Sequence, residues 1–212
     1  MLACVEGILR DTRGTGVNQA GAPIEERAAI ARDQVLRCRG ITQHFLRLSR
    51  GQASTADLVD VGSAVGAAAR LVEPTARDHG VRLEQQPVPP GLHVRANEAE
   101  LQHTLINLLL NGIQACRPGG RVAVDVEAGD PVRLRVVDDG CGIPPEQQKR
   151  IFEPFVSLRQ GGTGLGLFLS LNFVRRWGGD IAVGSVPGQG STFEVALPAA
   201  AAAPARAQER VS

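Results

Sequence analysis

Gly161-Gly162-Thr163-Gly164-Leu165-Gly166-Leu167 constrains this chain more than any other stretch. Its glycines leave the backbone nearly bare, and the segment that follows, to about Trp177, is an apolar helix by spacing. A glycine-rich loop opening a helix gathers free N–H groups at the positive end of the helix, which suits a polyphosphate. Glycine-rich turns are common, so the run gains its weight from its company. Asp138-Asp139-Gly140-Cys141-Gly142-Ile143 and Phe152-Glu153-Pro154-Phe155 come before it, and before them a helix carries Asn107 and Asn111. That order is hard to reach by chance.

Composition bounds the rest. A length of 212 residues suits one large domain, or a compact domain with a small appendage. Hydrophobic residues make up 43% without a run approaching the ~18 needed for a membrane span, so a soluble globular protein is expected. A net charge of +1 offers no basic face for nucleic acid, and 3% aromatic content with no tyrosine leaves little to stack on bases. Cys4, Cys38, Cys116 and Cys141 show no metal-ligand spacing and fit a reducing, cytoplasmic setting. No signal peptide is visible.

Residues 1–50 read as an antiparallel helical hairpin. Leu2, Val5 and Leu9 share one face, and after Pro23 the apolar series Ile24, Ala28, Ala31, Val35, Cys38, Thr42, Phe45 and Leu48 alternates steps of four and three. So narrow a stripe is not buried by two helices alone; it predicts either a dimeric four-helix bundle or packing on the rest of the chain. Gly51 to Ser54 is a linker. A second domain, residues 57–198, starts with a helix of about Val61 to His79, capped by Asp60 and closed by Gly80. Strands follow at Val81–Glu84 and Leu92–Arg95, then a long helix capped by Asn97, a hairpin of Arg121–Glu127 and Val132–Asp138, and a helix from about Thr163 to Trp177. Strands near Ile181–Gly184 and Thr192–Leu197 complete a two-layer α/β sandwich with one helical face. Residues 199–212 are expected to fray.

Asn107 and Asn111 lie four residues apart, so both amides leave the same helix face. An amide oxygen suits Mg²⁺, which keeps waters and phosphate oxygens as its other ligands; the plainer reading is a pair of structural hydrogen-bonders. Asp138 ends a strand, where its carboxylate can accept from the exocyclic amine of adenine while Gly140 and Gly142 admit the base. Guanine would present a carbonyl there. Asp139 points the other way, into solvent. The loop after Phe155 is short enough for a lid over phosphates, with Arg159 either touching the γ-phosphate or solvated. Gly188 to Phe193 turns into the last strand, and the Thr192 hydroxyl either reaches the pocket or only shapes the hairpin.

In that order the motifs resemble the sensor histidine kinases of two-component systems, whose catalytic domain has the Bergerat ATP-binding fold. Asn107 to Asn111 is similar to the N box, Asp138 to Gly142 to the first glycine box, and Phe152 to Phe155 to the F box. Gly162 to Leu167 and Gly188 to Phe193 resemble the second and third glycine boxes. The resemblance implies ATP and Mg²⁺ as cofactors, with Asn111 and Asn107 at the metal. It implies that Asn111 and Ala115 on the helix, and Asp138, Gly140, Gly142 and Ile143 in the first glycine box, bind ATP. Phe155, then Gly162, Thr163, Gly164, Leu165, Gly166 and Leu167, and finally Thr192, complete that site. The second hairpin helix resembles that of the family's dimerisation and phosphotransfer domain, and the short lid resembles the nitrogen-regulation branch.

Gly112 replaces the family's usual alanine. None of His44, His79, His93 or His103 has the setting of the H box, an acidic residue and then a proline, so the chain is expected to start downstream of the phosphorylated histidine. The resemblance implies an ATP-dependent protein histidine kinase core acting as a homodimer. The phosphoryl group would be relayed to an aspartate of a response-regulator receiver domain, and any membrane attachment would come through an upstream sensor region. A rival reading is a non-catalytic, nucleotide-gated dimerisation module; another is an ATPase or serine kinase of the same fold. ATPases of the gyrase type carry a glutamate where Asn107 stands, which argues against hydrolysis.

Overall fold

The computed structural model describes residues 57–159 and 162–200. The expected hairpin with its dimer seam and His44, Gly161, and the tail beyond residue 200 lie outside them.

Strand β1 (Asp57–Asp60) runs straight into helix α1 (Val61–Asp78). Asp60 is the N-cap: its carboxylate accepts from the Ser63 N–H at 2.7 Å, and that bond holds the carboxyl below its ordinary range. Gly80 stands just beyond the helix at φ 65°, the left-handed conformation that stops a helix there. Helix α2 (Glu98–Ala115) opens on Asn97, whose side chain accepts from the Glu100 N–H at 3.1 Å, with Glu98 and Glu100 in the first turn. Its Leu101, Leu105, Leu108, Leu109 and Ile113 are all but fully buried. At about 1.5–3 kcal/mol per fully buried leucine or isoleucine, this helix face makes a major hydrophobic contribution to the domain.

Helices α1 and α2 pack on each other and, with the later helix α4 (Gly166–Arg176), cover one face of a five-stranded sheet. The sheet comprises β2 (Arg82–Gln85), β4 (Arg121–Glu127), β5 (Val132–Asp138), β7 (Gly190–Leu197) and β6 (Asp180–Val186), in that spatial order. Strand β2 is parallel to β4; the other pairs are antiparallel. The side-chain period of two sends Val122, Val124, Leu134, Val136, Phe193 and Val195 into the core. On the open face Glu194 lies between Arg133 and Arg135, and Arg135 also reaches Glu127.

Two local expectations, the fraying from residue 199 and the start of the last helix, are corrected. The strands form two sheets: β1, β3 (His93–Ala96) and β8 (Ala199–Ala200) make a small antiparallel sheet of their own, with β3 central. Ala199 and Ala200 therefore do not fray, and the Ala199 N–H donates to the Asp130 carboxylate at 3.1 Å. Helix α4 starts at Gly166 and not at Thr163, because Gly164 sits at φ 66° and breaks helical geometry before it. Pro145 opens the one-turn helix α3 (Pro145–Gln148), as its first-turn position predicts.

Candidate functional site

Asp138 is the last residue of β5, on the inner face of the sheet and only 5% exposed. Burial pushes its carboxyl above the ordinary 3.8, while backbone N–H groups of Gly140 and Ser191 and the charge of Arg159 pull it back. The Gly140 N–H lies 2.9 Å from Oδ1. The result is a desolvated, oriented acceptor at the edge of α2. Asp139, expected to be merely solvated, accepts the Arg121 N–H at 2.8 Å and so ties the start of β4 to the end of β5. Cys116 at the end of α2 also donates to it, and burial first, then that bond, pushes the thiol up to about 12.

The glycines after Asp138 serve the protein's own backbone. A Cβ on Gly140 would lie 2.7 Å from the Ala115 carbonyl, where the loop beds on the end of α2 and the Cys141 N–H bonds the Ala115 oxygen at 3.1 Å. Gly142 has φ 68°, and a Cβ there would meet the Val186 oxygen at 2.1 Å. Spacing alone suggested that these glycines admit a base. The structure shows that they also let one loop fit between a helix end and a strand turn. Ile143, expected in the site, is buried at the loop's far end.

Asn107 and Asn111 do share one face of α2, yet they have different partners. Asn107 donates from Nδ2 to the Ser170 hydroxyl of α4 at 3.1 Å, and its Oδ1 abuts the Cα of Gly166, where a Cβ would come within 2.3 Å. Both ends of that amide are engaged where α2 meets α4, and Asn107 helps to hold that junction together. Asn111 makes no side-chain hydrogen bond among the described residues. Its main-chain oxygen accepts from Arg159, which also bonds Gln114. Burial draws the Arg159 pKa down, and the neighbouring Cys141 and Asp138 oppose that. The arginine is thus seated on the last turns of α2, within the field of Asp138, and is not the solvated side chain of the plainer reading.

The segment from Phe155 to Gly164 is closed at its base. The Phe155 N–H donates to the Gly164 oxygen at 3.0 Å, and a Cβ on Gly164 would strike the Phe155 carbonyl carbon at 2.4 Å. Phe155 adopts φ 66° and its ring is 77% exposed, so the structure does not seat that ring in the site. Gly162 and Thr163 are exposed in the lid, the Thr163 hydroxyl accepts the Leu165 N–H at 3.4 Å, and Leu167 packs at the core's margin. Leu165 caps α4 without any side-chain hydrogen bond, so the first-turn N–H groups of that helix are left for another acceptor.

Thr192 is corrected. It pairs with Val137 on the outward face of the sheet, whereas Ser191 pairs directly with Asp138 on the inward face and is 6% exposed. The hydroxyl beside the carboxylate is therefore that of Ser191. Two further residues escaped the sequence reading. Ser185 accepts the Ile143 N–H at 2.8 Å, and the Gln148 amide donates to both the Ile143 and Ser185 carbonyls. The inward parity of Ser185 on β6 was the one available signal for the first; nothing in the sequence pointed to Gln148. Of the described histidines, His79 and His93 bond local carbonyls of Thr75 and Gly91, and His103 packs edge-on to Phe173.

A two-layer sandwich with a buried strand-end carboxylate, an asparagine on the facing helix and a glycine-closed lid defines an ATPase class of fold. Residues 96–201 match the family of histidine kinase-, DNA gyrase B-, and HSP90-like ATPases, and the chain belongs to that family as a sensor histidine kinase catalytic ATPase domain. It is 31% identical over 180 residues to the sensor histidine kinase ZraS of Escherichia coli K12, an alignment covering 84% of this chain and 39% of ZraS. The chain thus spans about two fifths of that relative's length. Among solved structures, full-length ShkA in complex with AMPPNP is 28% identical with TM-score 0.73, over 95% of this chain and 43% of ShkA. Histidine kinase ThkA in complex with the response regulator TrrA, at 19% identity and TM-score 0.75 over 94% of this chain and 57% of ThkA, shares the fold.

Proposed function

We propose that this domain binds Mg-ATP between α2, the loop after β5 and the lid, as the catalytic core of a two-component sensor histidine kinase. The observation that carries the reading is Asp138: a buried carboxylate, oriented by the Gly140 backbone N–H, with no cation bonded to it among the described residues. Such an acceptor suits the exocyclic amine of adenine and repels the guanine carbonyl. Asn111, with its amide unengaged on the same helix face, supplies a hard oxygen ligand of the kind Mg²⁺ takes beside phosphate oxygens and water. Among the described residues no three His, Cys, Asp or Glu side chains gather as a metal cluster, which agrees with a cation held chiefly by the nucleotide. When bound, that ion would neutralise charge developing on the transferred phosphoryl group.

The residues of the chain do the positioning. Asp138 fixes the base, the uncapped first turn of α4 faces the phosphates, and the lid excludes water when it closes. The γ-phosphoryl would pass to a histidine on a dimer helix and then to a receiver-domain aspartate; ShkA with AMPPNP and ThkA with its regulator support ligand and partner of these classes. A homodimer through residues 1–50, a cytoplasmic location, and membrane attachment only through an upstream sensor region belong to the same proposal. No helix among the described residues is long and apolar enough to cross a membrane. The test is titration of wild-type chain and Asp138→Asn with ATP by calorimetry. Loss of binding with an unchanged unfolding midpoint is expected; wild-type affinity in the variant overturns the assignment.

A further inference from the structure

The loop after Asp138 has no regular secondary structure, yet it must hold a base-binding wall still. Its free end is fastened by two side chains outside every glycine motif. Ser185, on the inward face of β6, uses all its hydroxyl valences: it accepts the Ile143 N–H at 2.8 Å, donates to the Gly190 oxygen at 2.8 Å, and meets the Ser191 hydroxyl at 3.0 Å. Gln148, on the one-turn helix α3, spends both Nε2 protons on the Ile143 oxygen at 2.9 Å and the Ser185 oxygen at 2.8 Å. A third tie runs from the Gly188 N–H to the Cys141 oxygen at 2.8 Å.

These ties converge on Asp138. Ser191, which Ser185 touches, pairs with Asp138 across the β5–β7 ladder. Gly140, at the root of the fastened loop, gives it a backbone N–H at 2.9 Å. The donor that orients the carboxylate and the strand residue paired with it thus belong to segments whose positions Ser185 and Gln148 fix.

Resting on the reading of Asp138 as the adenine acceptor, we propose that Ser185 and Gln148 are positioning residues for adenine recognition. They touch no nucleotide; they lock the loop and the β6–β7 turn so that the carboxylate meets the amine in one orientation. The phosphate side, built on α4 and Asn111, does not depend on them. Their loss therefore weakens base recognition selectively.

The experiment compares ATP and GTP binding to the full chain by calorimetry for wild type, Ser185→Ala, Ser185→Thr and Gln148→Glu. Ser185→Ala is expected to lose about tenfold in ATP affinity, the worth of one well-made hydrogen bond, while GTP affinity stays put, so the ATP-to-GTP preference shrinks. Ser185→Thr keeps the hydroxyl on a strand residue and restores the preference. Gln148→Glu keeps the shape but turns carboxylate oxygens onto two carbonyls and shrinks the preference as Ser185→Ala does. A lower unfolding midpoint with an unchanged ATP-to-GTP ratio in both Ser185→Ala and Gln148→Glu gives these residues a merely structural role and overturns the proposal. If Asp138→Asn, run in parallel, binds ATP like wild type, the underlying site reading falls and this inference with it; if only the Ser185 and Gln148 variants are neutral, the site stands and this inference alone fails.

Discussion

Replacing Gly166 by alanine tests the α2–α4 junction at its tightest point. The new Cβ would lie 2.3 Å from Asn107 Oδ1, where real Cβ contacts essentially never fall below 3.0 Å, so something must move by at least about 0.7 Å. If the Asn107 amide turns away, its bond to Ser170 is lost and a hydroxyl at 0% exposure goes unsatisfied, at a cost of about 1–3 kcal/mol. If α4 slides instead, Leu169, Phe173 and Val174 repack against the core, again about 1–3 kcal/mol. The better helix propensity of alanine returns at most about 1 kcal/mol. The net expectation is a destabilisation of about 1–2 kcal/mol, or ~2–8 °C in Tm for a domain of this size. Urea denaturation of the single variants Gly166→Ala and Asn107→Ala and of the double variant is the assay. Once Asn107 is truncated the clash is gone, so the double variant should be more stable than the two losses added together by about 1 kcal/mol or more. A Gly166→Ala variant as stable as wild type, or strict additivity in the cycle, refutes the argument.

Other consequences are equally direct. Asp138 accepts more strongly from an amine as a carboxylate than as a neutral acid, and burial raises its pKa above 3.8, so ATP affinity should fall as pH drops through that raised value. Titration of ATP affinity across the acid range checks this, and an affinity that stays flat there refutes it. Because the Arg159 charge helps hold the Asp138 carboxyl down, Arg159→Ala should move that acid limb to higher pH, read from the same titrations. In a Cys4→Ser, Cys38→Ser background, exposed Cys141 should react readily with an aromatic disulfide reagent at pH 8. Cys116, with its thiol pushed up to about 12, carries only ~10⁻⁴ thiolate there and should stay unlabelled until the domain unfolds.

The parts of the fold that were legible are those where local pattern and tertiary role coincide. Strands β4 and β5 alternate valine or leucine with charge because one face is core and the other solvent, and their bounds match expectation residue for residue. Asp60 and Asn97 announced their helices because a cap acts within three residues. Strand β8 was invisible: an alanine run has no alternation, and what orders it is the edge of β3 and the Asp130 carboxylate, both remote in sequence. Choosing Thr192 over Ser191 failed on parity, since a single residue's step along a strand reverses the face and the register with Asp138 is set by pairing alone. Asn107 and Asn111 look alike on a helical wheel; only the approach of α4 separates the one that is enclosed from the one that is open.

The glycines that first drew attention have a different meaning once their neighbours are known. Gly140 beds on Ala115, Gly142 on Val186, Gly164 on Phe155 and Gly166 on Asn107, each against another part of the same chain. They would be demanded of any sequence adopting this architecture, including one that had lost its ligand altogether. In a lineage decaying toward a pseudoenzyme, the glycine signature would outlast the activity, because replacing these glycines destabilises the domain. Asp138 and Asn111, which the architecture does not require, would be the first to drift. Whether a descendant of this domain still has its chemistry is therefore written in a carboxylate and an amide, and its glycines certify only the scaffold.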